Sequence, residues 1–395
     1  MKINDKKYWF ILGNFPLLST AEISAVLSLD EKELKQNILK ITYPELSPEN
    51  LIKEIGGTIK IGEEIDNYLT EKNLLKNIKK FLKTRTGKIH FGISFYHTED
   101  SRIIDDWART IKNDLKDEGK SIRFVFKNTP ELSSVTVQKN NLIKKGAEFL
   151  ITKNSDGTYS LARTLAVQPF EDFGVRDFGR PGRDSLSGML PPKLAMMMIN
   201  LSQTHKDELL LDPFCGSGTI LSEAIVLEYR QLIGADISSK AMEDTEKNIL
   251  WLKNKVDSMP EIKLFNLDAN KLSQKIKIGS VAGIVAEPYL GKPLKGSEPK
   301  DFLLNQINEL EKTYIGVFKE FKKIMKKNGT IVFIIPRFKY KNDWLTLDCQ
   351  KKIEALGFKS EPLLELDNKK YSFILYHRAN QRVGREIWKF RNHTS

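Results

Sequence analysis

The feature that most constrains the fold of this sequence is a glycine-containing turn between an apolar run and an apolar helical pattern. The run Leu209–Leu211 is followed directly by the string DPFCGSGT at Asp212–Thr219. A strand, a glycine turn and a helix in this order are typical of the first unit of a doubly wound α/β domain, because glycines let the backbone approach a ligand closely. Leu221 replaces the third glycine of a dinucleotide fingerprint, and the Gly-Lys-Ser/Thr of a P-loop is absent. The turn therefore predicts a ligand without a pyrophosphate.

The rest of the C-terminal half continues the alternation of strands and helices that a parallel sheet requires. A long helix is predicted for Asp301–Lys326, where apolar residues recur three and four positions apart, and Gly329 is expected to end it. The predicted fold class is therefore α/β, with a Rossmann-like C-terminal domain. Its strand-like segments are 209–211, 231–235, 262–266, 281–285, 330–335 and 371–376.

Acidic residues follow the next two predicted strands. Ligands of open parallel sheets bind beyond the carboxyl ends of the strands. Asp236 is placed to accept hydrogen bonds from two ribose hydroxyls, and Asp268 to contact an adenine amine with Ala269 beside the ring. The alternative is that each aspartate only caps the helix after it, although Ser238 is available for that capping role at the first position.

The fourth predicted strand ends in Glu287-Pro288-Tyr289. A carboxylate and a carbonyl held by proline both accept hydrogen bonds from an exocyclic amine, which orients the nitrogen lone pair toward a methylsulfonium. Tyr289 offers a ring on which a base can stack, and the alternative is an ordinary turn. With the glycine turn, this string predicts an S-adenosylmethionine-dependent methyltransferase that acts on an amine and requires no metal.

The first 166 residues also alternate strands and helices, and nothing in them looks catalytic. Ser19 and Glu22 are predicted to form a capping box at a helix N-terminus. Residues 167–186 are rich in glycine, proline and arginine, which predicts a linker. Its arginines either contact phosphate or belong to a solvated connector; they are Arg176, Arg180 and Arg183.

The formal net charge of +12 over 395 residues fits either a nucleic-acid partner or a soluble lysine-rich surface. The two cysteines, Cys215 and Cys349, form neither a disulfide framework nor a metal-ligand pair. The charged residues near Met1 do not resemble a signal peptide, and no apolar run reaches the ~18 residues of a membrane span. We therefore expect a cytoplasmic protein that does not contact the membrane.

These features together resemble the THUMP-domain tRNA guanosine N2-methyltransferases, especially the archaeal and eukaryotic type that acts on the guanosine at position ten. The most specific part of this resemblance is the string around Leu190-Pro191-Pro192 together with the turn at Asp212–Thr219. Tyr8–Gly13 resembles the family's N-terminal segment. The resemblance implies a class I methyltransferase domain and a THUMP unit that grips the acceptor end of tRNA. The implied domains are 1–69 (ferredoxin-like), 70–166 (THUMP-like), 167–186 (linker) and 187–395 (methyltransferase).

The resemblance also implies roles for individual residues. The methionine part of the cofactor is expected beside Asp212 and Gly216, the ribose at Asp236 and the adenine at Asp268, with Pro191 and Pro192 covering the site. The reacting amine is expected at Glu287, Pro288 and Tyr289. The full set of implied cofactor contacts is Pro191, Pro192, Asp212, Phe214, Gly216, Gly218, Thr219, Asp236, Ile237, Asp268 and Ala269.

One departure from the family pattern leaves alternatives open. The family's string is Asp-Pro-Pro-Tyr, whereas Glu287 adds a methylene and Tyr289 comes one position early. A misplacement of about 1 Å can cost roughly 100-fold in rate. The alternatives are a tRNA-binding protein with an inactive methyltransferase domain and a DNA amino-methyltransferase. The THUMP-like front half argues against DNA as the partner, and a small activating subunit remains open.

Overall fold

A computed structural model describes residues 5–29, 32–98, 102–127, 129–183 and 189–393. The chain divides into two compact units. The first comprises residues 1–16, 30–54 and 58–171, and the second comprises residues 17–29, 55–57 and 172–395. The predicted linker residues 184–186 lie outside the described residues, as do Ser187 and Gly188.

The first unit is built on an eight-stranded sheet with the order β2-β3-β1-β4-β8-β7-β5-β6. Neighbouring strands are antiparallel except for β5, which runs parallel to β6 and β7. Apolar faces of α3 and α4 pack on the sheet around Trp107 and Phe149. The strands and helices up to this sheet's end are β1 Lys6–Leu12, α1 Pro16–Leu27, β2 Glu33–Lys35, β3 Ile38–Tyr43, α2 Pro48–Glu54, β4 Thr58–Leu69, α3 Glu71–Lys83, β5 Ile89–Tyr96, α4 Arg102–Asp117, β6 Ile122–Phe124, α5 Ser134–Lys139, β7 Ala147–Lys153 and β8 Tyr159–Val167.

Helix α1 groups with the second unit, and the capping box predicted at its start is wrong. The helix begins at Pro16, because proline suits the first helical turn, so Ser19 lies one turn inside it. The buried Glu22 carboxylate instead accepts backbone N–H groups of Gly56 and Gly57 at 2.8 and 2.9 Å. It also accepts the side-chain amide of Asn200 at 2.8 Å. Glu22 therefore joins α1 to two distant segments of the second unit.

The second unit contains a largely parallel sheet with the order β11-β10-β9-β12-β13-β19-β15. Strands β9 to β13 are parallel, whereas β19 is antiparallel to β13 and β15. The strand order reverses between β9 and β12, as in a doubly wound domain, so the predicted fold class is confirmed. The remaining elements are α6 Phe170–Phe178, α7 Pro192–Ser202, β9 Leu209–Asp212, α8 Thr219–Val226, β10 Gln231–Asp236, α9 Ser239–Lys253, β11 Glu261–Asn266, the 3-10 helix Ala269–Gln274, β12 Val281–Ala286, α10 Lys300–Ile324, β13 Met325–Tyr340, β14 Asp343–Thr346, α11 Gln350–Glu354, β15 Phe358–Glu361, β16 Leu364–Leu366, β17 Lys369–Tyr371, β18 Phe373–Tyr376 and β19 Val383–Asn392.

The end predicted for the long helix is wrong, because the last residues assigned to it belong to the strand that follows. Helix α10 ends at Ile324, and Met325 is already extended and paired with Val281. Gly329 therefore lies inside β13. A Cβ atom there would come within 2.9 Å of the carbonyl oxygen of Ala282, so the glycine permits close strand pairing rather than a helix cap.

No helix among the described residues is both long and apolar enough to cross a membrane.

Candidate functional site

The predicted site residues from four strands meet at the carboxyl edge of the parallel sheet. Asp212 is the last residue of β9 and Asp236 the last of β10. Asp268 follows β11 by two residues, and Glu287 comes directly after β12. Because β9 and β12 flank the point where the strand order reverses, this edge is where an open α/β sheet binds its ligand.

The glycine turn after β9 is fixed by hydrogen bonds with residues of other segments. Gly216 and Gly218 have φ angles of +52° and +79°, which side chains disfavour. A Cβ atom on Gly216 would meet nothing within 4 Å, whereas one on Gly218 would come within 3.0 Å of Thr245. The Thr245 hydroxyl donates to the Gly216 carbonyl at 2.7 Å, and the Gly216 N–H donates to Asp236 at 2.9 Å. The turn thus presents open backbone at Gly216 and packs closely at Gly218.

Asp212 is the most buried acid of this edge, with 1% of its surface exposed. One of its oxygens accepts the backbone N–H of Phe214 at 3.2 Å. Burial raises the pKa of Asp212 well above its ordinary value, and the nearby carboxylates of Asp236 and Glu287 raise it further. No group of three or more ligating side chains suited to a metal ion occurs in the described part of the chain. A cationic or hydrogen-donating organic ligand would relieve this cluster of negative charge.

Asp236 fixes two loops and still has free acceptor capacity. Its two oxygens accept the N–H groups of Ser238 and Gly216, each at 2.9 Å. Ser238 is the N-cap of α9 and accepts from Ala241 at 3.2 Å, so the capping role belongs to the serine. Each carboxylate oxygen has a second lone pair for a ligand hydroxyl. The neighbouring Ile237 is 73% exposed, which leaves an apolar face at this edge.

Asp268 is a helix cap, as the alternative prediction stated. Its side chain accepts the backbone N–H of Asn270 at 2.9 Å and the side-chain amide of the same residue at 3.0 Å. Both bonds use one oxygen, Oδ1, so the capping role does not occupy the other oxygen. Ala269 beside it is buried. The role of Asp268 toward an adenine remains a prediction.

Glu287 is held by a partner that the sequence analysis did not identify. The Nε of Arg385 lies 2.5 Å from Glu287 Oε1, and both side chains are largely buried. Burial raises the pKa of Glu287, and the guanidinium of Arg385 opposes that rise. The partner lies 98 positions further along the chain, on β19, and no local pattern connects the two. The fold brings Arg385 near because the N-terminal end of antiparallel β19 lies at the carboxyl edge of β13.

Tyr289 presents its ring to solvent while its backbone is fixed. The side chain is 61% exposed, and the hydroxyl of the buried Tyr314 donates to the Tyr289 carbonyl at 2.7 Å. An exposed ring on a held backbone, two residues from a buried carboxylate, is suited to stacking on a flat group whose edge faces Glu287.

Pro191 and Pro192 begin helix α7. Pro191 occupies the N-cap position and Pro192 the first helical position, and the Pro191 carbonyl accepts from Leu194 and Ala195 at 2.9 and 3.0 Å. Helix α7 packs against α8, the helix that follows the glycine turn. The covering role of the two prolines toward a cofactor remains a prediction.

Two of the three arginines in the predicted linker form hydrogen bonds with side chains of the second unit. Residues 170–178 form α6 instead of an irregular connector. Arg176 binds Glu223 through Nε and Nη2 at 2.7 and 3.0 Å. Arg180 is buried and donates to the Thr219 hydroxyl at 2.6 Å. Arg183 is exposed, donates to the Phe178 carbonyl at 3.4 Å and lies over the Phe178 ring.

Comparison with solved structures supports the fold assignment. TrmN from Thermus thermophilus is 13% identical, with a TM-score of 0.55 over 98% of this chain and 99% of that chain. A methyltransferase solved in complex with SAH is 12% identical, with a TM-score of 0.52 over 99% of both chains. At these identities the likeness concerns the fold.

Sequence comparison identifies the family. Residues 180–356 match the RMKL-like methyltransferase domain. A tRNA (guanine(10)-N2)-dimethyltransferase of Methanocaldococcus jannaschii is 26% identical over 75% of this chain and 88% of its own length. A protein of Methanothermococcus thermolithotrophicus named "Probable tRNA (guanine(10)-N2)-dimethyltransferase" is 30% identical over 37% of this chain and 80% of its own length. Together with the doubly wound sheet and its acidic carboxyl edge, these matches place the chain in the tRNA (guanine(10)-N2)-dimethyltransferase family.

Proposed function

We propose that this protein transfers methyl groups from S-adenosylmethionine to the exocyclic N2 amine of a guanosine in tRNA, at position ten. The observation that carries the proposal is the pairing of a largely buried carboxylate at Glu287 with an exposed ring at Tyr289, directly after β12. This pair stands next to the glycine turn of β9, where a methyl donor would bind. The family is named for its substrate, the N2 amine of a guanine in tRNA. The carboxyl edge of the sheet supplies groups that are suited to binding an amine on a flat base.

The donor groups of S-adenosylmethionine fit the acceptors at this edge. Its ammonium, ribose hydroxyls and adenine amine are all hydrogen-bond donors, and the edge presents Asp212, Asp236 and Asp268 in the order of their strands. A Cβ atom on Gly216 would meet nothing within 4 Å, so the space beside its backbone is open to a ligand. When bound, the cofactor supplies a methyl group on a positively charged sulfur. We assign Pro191, Pro192, Phe214, Gly218, Thr219, Ile237 and Ala269 to the surroundings of the same ligand.

Glu287 and Pro288 orient the acceptor amine in this scheme. Arg385 holds Oε1, whereas Oε2 receives no hydrogen bond from the residues that the structure describes. Oε2 and the Pro288 carbonyl accept the two N–H groups of the guanine amine, so that the nitrogen lone pair points away from both. The guanine leaves its stack to reach this position and lies against the Tyr289 ring. Alignment supplies most of the rate, and after transfer the extra proton of the amine passes to Glu287 Oε2.

The first unit is proposed to hold the tRNA. We assign residues 1–69 to a ferredoxin-like segment, 70–166 to a THUMP-like RNA-binding domain, 167–186 to a linker and 187–395 to the methyltransferase domain. The formal net charge of +12 supports a polyanionic partner, since neutralised phosphates release condensed counterions. A cytoplasmic location is part of the proposal, and a tRNA substrate is compatible with it.

The test is methyl transfer from labelled cofactor to a tRNA transcript, followed by nucleoside analysis. We expect N2-methylated guanosine, and a transcript with inosine at position ten should accept no methyl group there, because inosine lacks the amine. Glu287→Ala is expected to abolish transfer and to leave the affinity for S-adenosylhomocysteine within a few-fold. Full activity of this variant would contradict the role of Glu287.

Two other outcomes of the same assay would replace the proposal. Methylated adenosine as the product would redirect the substrate assignment. If the wild-type protein binds both tRNA and S-adenosylhomocysteine without any incorporation, a binding protein with an inactive methyltransferase domain is the better description.

A further inference from the structure

Arg180 is a buried cation whose hydrogen-bonding capacity is incompletely used. It is 4% exposed, and its Nη1 donates to the Thr219 hydroxyl at 2.6 Å. Its Nη2 lies 3.2 Å from the sulfur of Met189, a weak acceptor. Its Nε has no hydrogen-bond partner among the described residues. A buried guanidinium with one hydroxyl and one thioether for partners is unusual, because buried charges are normally paired.

No carboxylate of the described residues forms an ion pair with Arg180. Among the described acids, Asp177 and Glu223 act on its charge electrostatically, without a hydrogen bond to it. Glu223 is already bound at both oxygens by Arg176. Burial accordingly lowers the pKa of Arg180, since the two distant acids do not compensate the loss of water. Within the part of the chain that the structure describes, the charge therefore lacks an anion in direct contact.

The position of Arg180 suggests what that anion is. Thr219 is the first residue of α8, directly after the glycine turn, so Arg180 lies beside the N-terminal end of this helix. A helix N-terminus carries partial positive charge and unpaired N–H groups. The other charged groups of the cofactor edge are the acids Asp212, Asp236 and Asp268 and the ion pair of Glu287 with Arg385. Among the described residues, Arg385 is paired with Glu287, whereas Arg180 is a cation of this edge that no acid pairs with.

We propose that Arg180 binds the α-carboxylate of the methionine part of S-adenosylmethionine. The inference rests on the proposed function, because it takes the glycine turn as the cofactor site. An α-amino acid group is a zwitterion, and this edge presents a complement to both of its charges. The acid Asp212 faces the ammonium, and Arg180 with the start of α8 faces the carboxylate. Arg180 thereby selects a ligand that retains its amino-acid carboxylate over a nucleoside thioether or amine without one.

The test compares two ligands that differ only in this carboxylate. Binding of S-adenosylmethionine and of decarboxylated S-adenosylmethionine is measured by titration calorimetry on the full chain, for wild type and Arg180→Met. Wild type is expected to prefer the carboxylate form by ~10-fold or more, since charge-assisted hydrogen bonds are the strong ones. In Arg180→Met this preference should vanish, with the affinity for the decarboxylated form within about 3-fold of wild type. Arg180→Lys is expected to retain part of the preference.

Arg183→Met is the matched control, because Arg183 is an exposed arginine three positions away and should leave both affinities unchanged. Equal weakening of the two ligands in Arg180→Met, or no weakening of either, would overturn the inference and leave the proposed function intact. If Arg180→Met does not fold, the wild-type preference and the Arg180→Lys variant decide: absence of any preference in wild type overturns the inference. If wild type binds neither ligand, the cofactor assignment itself fails.

Discussion

At the scale of single residues, the acids of the carboxyl edge could be predicted, and the arginine that pairs with Glu287 could not. Asp212, Asp236 and Glu287 each follow a strand in the sequence, and that pattern alone places them at one edge of a parallel sheet. The order of Asp236 and Ser238 in the sequence also predicts that the serine caps the following helix and that the aspartate is available to a ligand. Arg385 lies on the antiparallel strand β19, so its approach to Glu287 depends on strand order rather than on any local spacing.

The Glu287–Arg385 ion pair predicts a shifted pH dependence when Arg385 is neutralised. Glu287 accepts the amine as a carboxylate, burial raises its pKa, and Arg385 opposes that rise. In Arg385→Gln the pKa of Glu287 therefore rises further, and kcat should fall at neutral pH and recover as the pH is raised. We expect the ascending limb of log kcat against pH to move to higher pH, with little change in the affinity for S-adenosylhomocysteine.

Arg385→Lys separates charge from mere packing in this experiment. A lysine keeps a positive charge near Glu287, so its pH profile should lie closer to that of wild type. A loss in Arg385→Gln that is equal at every pH would show that Arg385 supports the fold of the site rather than the ionisation of Glu287.

At the scale of elements, strand and helix types were predictable where periodicity was strong, and their ends were not. The helix after Pro16 was predicted one turn late, because Ser19 and Glu22 carry the spacing of a capping box. The structure uses the same two residues for contacts across 38 and 35 positions, with Gly57. A helix cap and a long-range hydrogen bond use the same polar side chains. A local pattern of such residues therefore cannot show which of the two the protein forms.

The burial of Glu22 predicts that part of the stability falls as the pH rises toward neutrality. Burial raises its pKa from 4.5 to about 7, although three donors from Gly56, Gly57 and Asn200 favour the ionised form. Between these two values the unfolded chain releases a proton that the folded protein retains, so the free energy of unfolding decreases with rising pH. The decrease amounts to ~3 kcal/mol, at about 1.4 kcal/mol for each unit of pKa shift.

Denaturant unfolding at several pH values between 4.5 and 8 measures this decrease, and Glu22→Gln provides the reference because glutamine does not titrate. The difference in unfolding free energy between wild type and Glu22→Gln should shift in favour of the variant as the pH rises through this range. Parallel curves for the two proteins would contradict the raised pKa.

At the scale of the whole molecule, the sequence predicts consecutive domains, whereas the second compact unit is assembled from three separate stretches of chain. Residues 17–29 and 55–57 join residues 172–395 in that unit. The ties are specific: Asn200 donates to Glu22 at 2.8 Å, and Gln203 donates to the Ala25 carbonyl at 3.2 Å. Hydrophobic periodicity describes each stretch correctly but carries no information about which distant stretch covers it.

A fragment comprising only residues 187–395 is therefore expected to be less stable than the same residues in the full chain. It lacks α1, whose Leu18, Ala21 and Ile23 are buried, and it leaves Asn200 without its carboxylate partner. We expect a melting temperature lower by roughly 2–8 °C, because a loss of about 1–2 kcal/mol shifts a domain of this size by about 2–4 °C for each kcal/mol. Thermal denaturation with and without S-adenosylhomocysteine measures both stability and the integrity of the cofactor site.

The control is a variant in which residues 58–171 are replaced by a flexible glycine-serine linker, since it keeps α1 and residues 55–57 on one chain with 172–395. This variant should melt above the 187–395 fragment and bind S-adenosylhomocysteine as the full chain does, while losing tRNA binding with the deleted residues. If the 187–395 fragment melts with the full chain, α1 contributes nothing to this unit and the consecutive boundary at residue 187 is the correct one. The comparison thus decides whether the catalytic unit is defined by sequence order or by the buried contacts of Glu22.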